Sequence, residues 1–158
     1  MKILCIIDSL GSGGAQRQMV TLSKGLVING HDVHLFTYMP PDFFKKEIGN
    51  SQIKHTYIPK KGKIGFNVIL RLMRLVRINK YDIIISFLHT PNVYNILSKL
   101  VSHKQTNHIS SERSKSVFKG FSYKKQSVTH FFSDYLVCNS FHECNNWRLH
   151  MPGLKEKN

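Results

Sequence analysis

Short apolar runs alternate with helical patterns along most of this chain. Ile3-Leu4-Cys5-Ile6-Ile7 is continuously apolar, as a strand is when both of its faces are covered. A glycine-rich turn follows, and a helical pattern occupies about Ala15 to Asn29. His31 to Tyr38 reads as the second strand, Pro40-Pro41 as a break, and Phe43 to Glu47 as a short segment. Ile53 to Ile58 gives a third strand, ended by Pro59 and the loop Lys60 to Lys63. A helix is predicted from about Ile64 to Asn79, then a doubly buried strand from Tyr81 to Phe87. The next helix begins near Pro91, a residue suited to a first turn, and runs to about Val101. Gln105 to Ser110 is a short strand, Ser114 to Lys125 a polar and mobile loop, and Gln126 to Phe132 a helix. Tyr135 to Asn139 is the last strand, and Ser140 to His150 is helix-like. Such alternation predicts an α/β fold, a parallel sheet wound on both sides with right-handed crossovers.

The chemistry starts at the first turn. A strand emptying into Gly11-Ser12-Gly13-Gly14 and then a helix is an arrangement that holds phosphates. Glycine permits φ > 0 and brings bare N–H groups to an anion, while the helix adds its N-terminal partial charge. Gly11-x-Gly13 begins like a dinucleotide fingerprint, but Gln16 stands at the third glycine, and the strand ending at Tyr38 lacks the ribose-binding acid. A nicotinamide or flavin dehydrogenase is therefore rejected, and so is a Walker loop, for want of Gly-Lys-Ser/Thr. A turn that merely packs helix on strand remains the alternative reading.

The hydrophobic content of 41% over 158 residues suits one domain with a real core. Residues 1–150 form that domain, and 151–158 is a polar breaker of the kind that joins domains. No leader pattern and no run of about 20 apolar residues is present, so the expected location is cytoplasmic. Cys5, Cys138 and Cys144 are read as reduced thiols, and no metal site is expected.

A net charge of +14 calls for an anionic neighbour or for a lysine-rich solvated surface. On the helix from Ile64, the residues Lys63, Asn67, Arg71, Arg74 and Arg77 share about a third of the circumference, with Leu70 and Ile78 among them. Three readings fit: a face at an anionic membrane, a clamp for a lipid-linked diphosphate, or a sheet-covering helix with a solvated basic side. Nucleic acid is not an expected partner, because aromatic and basic residues do not interleave and no nucleic-acid-binding signature appears.

Five ordered blocks carry a resemblance: Lys2 to Arg17, Asn29 to Val33, Asp82 to Asn92, Ser110 to Arg113, and Asp134 to Ser140. Together they resemble the N-terminal domain of glycosyltransferase family 4. The resemblance implies a single Rossmann-like domain, the N-terminal half of a GT-B architecture. Its other half would bind most of a nucleotide-sugar, a co-substrate, with no further cofactor. It also implies that Gly11, Gly13 and Gly14 face the donor diphosphate, and that His89, Thr90, Asn92, Glu112 and Arg113 line the acceptor side. His89 follows a strand and suits hydrogen bonding or proton transfer, or else is a loop histidine satisfied by backbone. Glu112 and Arg113 suit sugar hydroxyls and phosphate, or else are an exposed neighbouring pair without a task. His89 and Glu112 are the catalytic candidates, although the resemblance implies retaining chemistry in which the donor phosphate takes the acceptor proton. The implied role is the acceptor-binding half of an enzyme of bacterial surface polysaccharide synthesis, inactive alone and peripheral at the inner face of the plasma membrane. Its partners would be a lipid-linked or glycan acceptor, an anionic membrane and a separately encoded C-terminal domain. The alternative is a non-catalytic membrane-docking or glycan-binding module.

Overall fold

The computed structural model describes residues 1–40, 42–113 and 120–150. In chain order the elements are β1 (Lys2–Ile6), α1 (Gly14–Ile28), β2 (Asp32–Thr37), α2 (Lys45–Gly49), β3 (Lys54–Tyr57) and α3 (Phe66–Asn79). They continue as β4 (Ile83–Phe87), α4 (His89–Ser98), β5 (Asn107–Ser111), α5 (Gly120–Phe132), β6 (Tyr135–Val137) and α6 (Phe141–His150). All six strands are parallel in one sheet, ordered β3-β2-β1-β4-β5-β6. This is the α/β, Rossmann-like, doubly wound arrangement that the sequence pattern predicts.

The winding reverses between β1 and β4. The chain lays β2 and β3 outward on one side of β1, then returns through α3 to place β4 on the other. Loops leaving β1 and β4 therefore diverge, and a crevice opens beyond their carboxyl ends.

β1 shows why both faces are covered. Its alternating side chains send Ile3 and Cys5, with Ile7 just past its end, into a cluster with Met19, Val20, Phe44 and Ile48 from the α1 and α2 layer. Leu4 and Ile6 point the other way, to Val68, Leu72, Val76 and Tyr94 of α3 and α4. Among the described residues neither cluster takes a member from β5, α5, β6 or α6. There the packing is polar. Buried His108 and Ser110 of β5 sit in register with Ile84 and Ser86 of β4. Asn95 of α4 donates from Nδ2 to Ser86 Oγ at 2.9 Å and accepts at Oδ1 from His108 Nδ1 at 2.8 Å. Ser133 Oγ donates to Ser110 Oγ at 2.6 Å. Burial, then the Lys99 charge, holds the His108 imidazole down at a pKa of about 4.

Some boundaries differ from the sequence reading. The segment at Phe43 to Glu47 contributes to the short helix α2, and α4 opens at His89 rather than near Pro91. Of the stretch read as a mobile loop, residues 120–125 belong to α5, while 114–119 lie outside the described residues, as does the breaker 151–158.

Candidate functional site

The first wall of the crevice is the turn from β1 to α1. Ile7 N–H donates to Phe36 O at 3.1 Å, and Asp8 O accepts from Tyr38 N and Met39 N at 2.9 and 2.7 Å, tying the turn to the end of β2. The Asp8 carboxylate accepts Ser9 N–H at 2.6 Å and Gln16 Nε2 at 2.9 Å. Gln16, standing where a third glycine would be, thus reaches back and latches the turn. Gly13 makes this possible: a Cβ there would run into Gln16 Oε1. The turn does not use the positive φ that glycine permits: among the described residues the glycines with positive φ are Gly30, Gly62 and Gly65. Gly13 N-caps α1 at φ −71° with no side-chain cap, and the first turn carries no acid. Gly13 and Gly14 are exposed and Gly11 half-buried, its N–H donating to Ser9 Oγ at 3.3 Å, while the first-turn N–H groups of α1 have no partner within the helix.

The second wall is the turn from β4 to α4. Leu88 adopts φ 77° and ψ 158°, a conformation rarely open to a side chain larger than glycine's. Its N–H donates to Ser111 O at 3.3 Å and its carbonyl accepts Asn92 N–H at 3.0 Å, so the strained residue is gripped from both sides. This bend places half-buried His89 and Thr90 in the first turn of α4, at the crevice. His89 is thereby a helix residue rather than a loop histidine. Asn92, one turn on, is fully buried and ties three neighbours together: its Oδ1 accepts Ser86 Oγ at 2.8 Å, and its Nδ2 donates to Ser111 O and Glu112 Oε1, each at 3.3 Å.

Glu112 and Arg113 leave the end of β5 in different directions. Glu112 is 1% exposed, which rules out the exposed pair considered from sequence. Its Oε1 also accepts from His130 Nε2 at 2.9 Å, and His130, on α5, is itself buried with its ring edge against Trp147 at 4.2 Å. The Arg113 guanidinium lies over the Phe87 ring at 4.0 Å and donates to Asn139 Oδ1 at 3.1 Å, while partial burial lowers its pKa. The structure thus joins Asn92, Glu112 and His130 directly, with Arg113 alongside. Sequence reasoning missed His130. Its signal was a polar i, i+4 pair, Gln126 and His130, on the face of α5 that meets the sheet.

The basic helix α3 stands apart from this group. Val68, Leu72 and Val76 are buried, whereas Arg71, Arg74 and Arg77 are exposed together with Phe66, Leu70 and Ile78. Lys63 lies before the helix, and Arg71 and Arg77 are about 9 Å apart along the axis of α3. Arg71 and Arg74 flank an open groove of about 240 Å³ floored by Phe36, Ile58, Leu75 and Ile78. Among the described residues no helix is long and apolar enough to cross a membrane.

A glycine rim over a helix N-terminus and a strained strand end on either side of the reversal of a parallel sheet define a Rossmann-like α/β domain. The sequence profile of Glycosyltransferase Family 4 matches residues 12–155, and the chain belongs to that family. Over 106 residues it is 32% identical to a GalNAc-alpha-(1->4)-GalNAc-alpha-(1->3)-diNAcBac-PP-undecaprenol alpha-1,4-N-acetyl-D-galactosaminyltransferase of Campylobacter jejuni, a match covering 63% of this chain and 29% of that protein. Its fold is similar to that of HepE of Anabaena in complex with UDP, with a TM-score of 0.73 at 14% identity, covering 94% of this chain and 40% of the other. It is also similar to MurG of Acinetobacter baumannii, with a TM-score of 0.64 at 15% identity, covering 89% and 42%. The matched region spans less than half the length of each of these relatives.

Proposed function

We propose that this chain is the acceptor-binding half of a retaining GT-B glycosyltransferase, which moves a sugar from a nucleotide-sugar to a lipid-linked glycan in bacterial surface polysaccharide synthesis. The observation that carries the reading is the family match over residues 12–155, laid on a domain whose glycine rim and α4 start flank one crevice. The Anabaena relative's complex with UDP supports a nucleotide-sugar as donor. The name of the Campylobacter relative, which acts on an undecaprenol diphosphate-linked amino-sugar chain, supports a lipid-linked acceptor.

In this reading the N–H groups around Gly11, Gly13 and Gly14 face the donor diphosphate, which is held mainly by a second domain, and no other cofactor takes part. His89 and Thr90 approach the acceptor from α4, Arg113 grips its phosphate, and Asn92 holds Glu112 in place for the acceptor sugar. Configuration is retained with the donor phosphate taking the acceptor proton, so that His89 and Glu112 bind and orient. The protein works at the inner, cytoplasmic face of the plasma membrane, where Lys63, Arg71, Arg74 and Arg77 lie along anionic lipid. Transfer needs both substrates held between two walls, and this domain supplies one. A C-terminal domain, encoded in the same or a neighbouring reading frame, supplies the other.

The test is an activity assay with a panel of nucleotide-sugars and polyprenyl-diphosphate acceptors. The 158-residue protein alone is expected to bind acceptor weakly and to turn over little or nothing, and efficient transfer by it would overturn the half-enzyme reading. A second reading, a non-catalytic membrane-docking or glycan-binding module, draws on the exposed Leu70 and Ile78 set among the arginines of α3. Liposome flotation together with failure of any added C-terminal domain to restore transfer would favour it.

A further inference from the structure

We propose that His130 is a positioning residue: with Asn92 it fixes Glu112 Oε1, so that the other carboxylate oxygen, Oε2, is left unpaired to accept a hydroxyl of the acceptor sugar. The proposal rests on the acceptor-binding reading above and deepens it by naming the group that reads the sugar.

The two oxygens of Glu112 are treated unequally. Oε1 receives two donors, His130 Nε2 at 2.9 Å and Asn92 Nδ2 at 3.3 Å. Oε2 is buried and has no hydrogen-bond partner among the described residues. A carboxylate present only to satisfy His130 would have both oxygens paired, since about 90% or more of buried polar atoms find a partner and an orphaned one is costly. Nor is Oε2 alone. Among the described residues Arg113 Nε, Gln126 Oε1 and His130 Nδ1 are also buried without a partner, at the end of β5 and on α5. Donors and acceptors are both present, the set a hydroxyl needs, because it gives one hydrogen and receives others.

The holder is closely packed where the reader is unpaired. The His130 side chain is 0% exposed, and its ring is braced edge-on by Trp147 at 4.2 Å. Asn92 is anchored in turn by Ser86 and by the Ser111 carbonyl. A ring so confined has one direction for Nε2–H, toward Oε1. The first turn of α4, carrying His89 and Thr90, starts three residues before Asn92, so the residue that holds Oε1 lies one turn behind the side chains placed at the crevice.

The experiment measures binding of a polyprenyl-diphosphate-linked N-acetylhexosamine disaccharide, and of the same polyprenyl diphosphate without sugar, to the full chain and to E112Q, H130L and H130Q. Thermal unfolding is followed in parallel. E112Q and H130L are expected to lose about 10- to 100-fold in affinity for the glycosylated ligand. H130Q, whose side-chain amide also donates to Oε1, is expected to recover most of it. The sugar-free diphosphate is expected to bind all four proteins alike. Unchanged sugar binding in H130L, or no recovery in a folded H130Q, overturns the positioning role, whatever happens to stability. Should H130L not fold, the contrast of E112Q with H130Q decides in the same way. If the unaltered chain binds neither ligand, the acceptor-binding reading itself falls and this inference with it, an outcome distinct from normal binding that the variants leave untouched.

Discussion

Gly13 and Gly65 both lack a side chain for reasons of space, yet an alanine at each meets a different obstacle. At Gly13 φ is ordinary and the obstacle is the flexible Gln16 side chain, which can swing out and release Asp8. At Gly65 φ is 73°, and a Cβ would lie 2.7 Å from Tyr94 Oη, a group already donating to Ile64 O at 2.7 Å. G65A is therefore expected to cost about 2 kcal/mol or more in urea unfolding, and G13A less than about 1 kcal/mol. Two histidines set the acid response. Burial, with the charges of Lys54 at His34 and Lys99 at His108, depresses both imidazoles from 6.5 to about 4. Between those values the unfolded chain binds protons that the fold does not, so stability falls as pH drops from about 6.5 to 4, and it goes on falling in stronger acid as Asp32, bonded to Lys54, and Asp134, lowered by Lys99 despite its burial, are protonated. Unfolding temperature followed across that range checks this, and H108N is expected to flatten the slope. At this scale the sequence was partly legible. The turn glycines, His89 and Glu112 stood out beside their strands, but the Glu112–His130 bond joins residues 18 apart on separate elements, and no local spacing announces it.

At the scale of elements, α3 was the clearest to read, because a buried face at Val68, Leu72 and Val76 follows directly from helical periodicity. L72A is expected to cost about 2–5 kcal/mol, measured by chemical denaturation. Reversing Arg71, Arg74 and Arg77 to glutamate is expected to abolish flotation with anionic vesicles. Their exposure means that the unfolding temperature should hardly move. Flotation that survives the reversal would remove the membrane role of this face. The start of α4 was harder. A helix opening at His89 requires Leu88 at positive φ, a conformation that a leucine gives no reason to expect and that only the grip of Ser111 and Asn92 explains. The mobile-loop reading overlapped the start of α5, which takes in residues 120–125.

For the whole molecule, alternation of strand and helix was enough to predict a doubly wound parallel sheet. The order β3-β2-β1-β4-β5-β6, and with it the crevice between the β1 and β4 loops, depends on the return through α3. The unequal distribution of apolar packing has a further effect. Around β1, β2 and β4 the layers are joined by hydrocarbon contact, while at β5 they are joined by His108, Asn95 and serine hydroxyls. Bonds of that kind trade readily with water once a gap opens. Amide hydrogen exchange should therefore divide the protein in two, with β5, α5 and β6 exchanging through partial openings that leave β1 and β2 protected. The seam runs along the flank that carries Glu112 and Arg113. The edge assigned to the incoming glycan would thus loosen and re-form while the glycine rim keeps its shape, giving the domain a compliant jaw beside a stiff one.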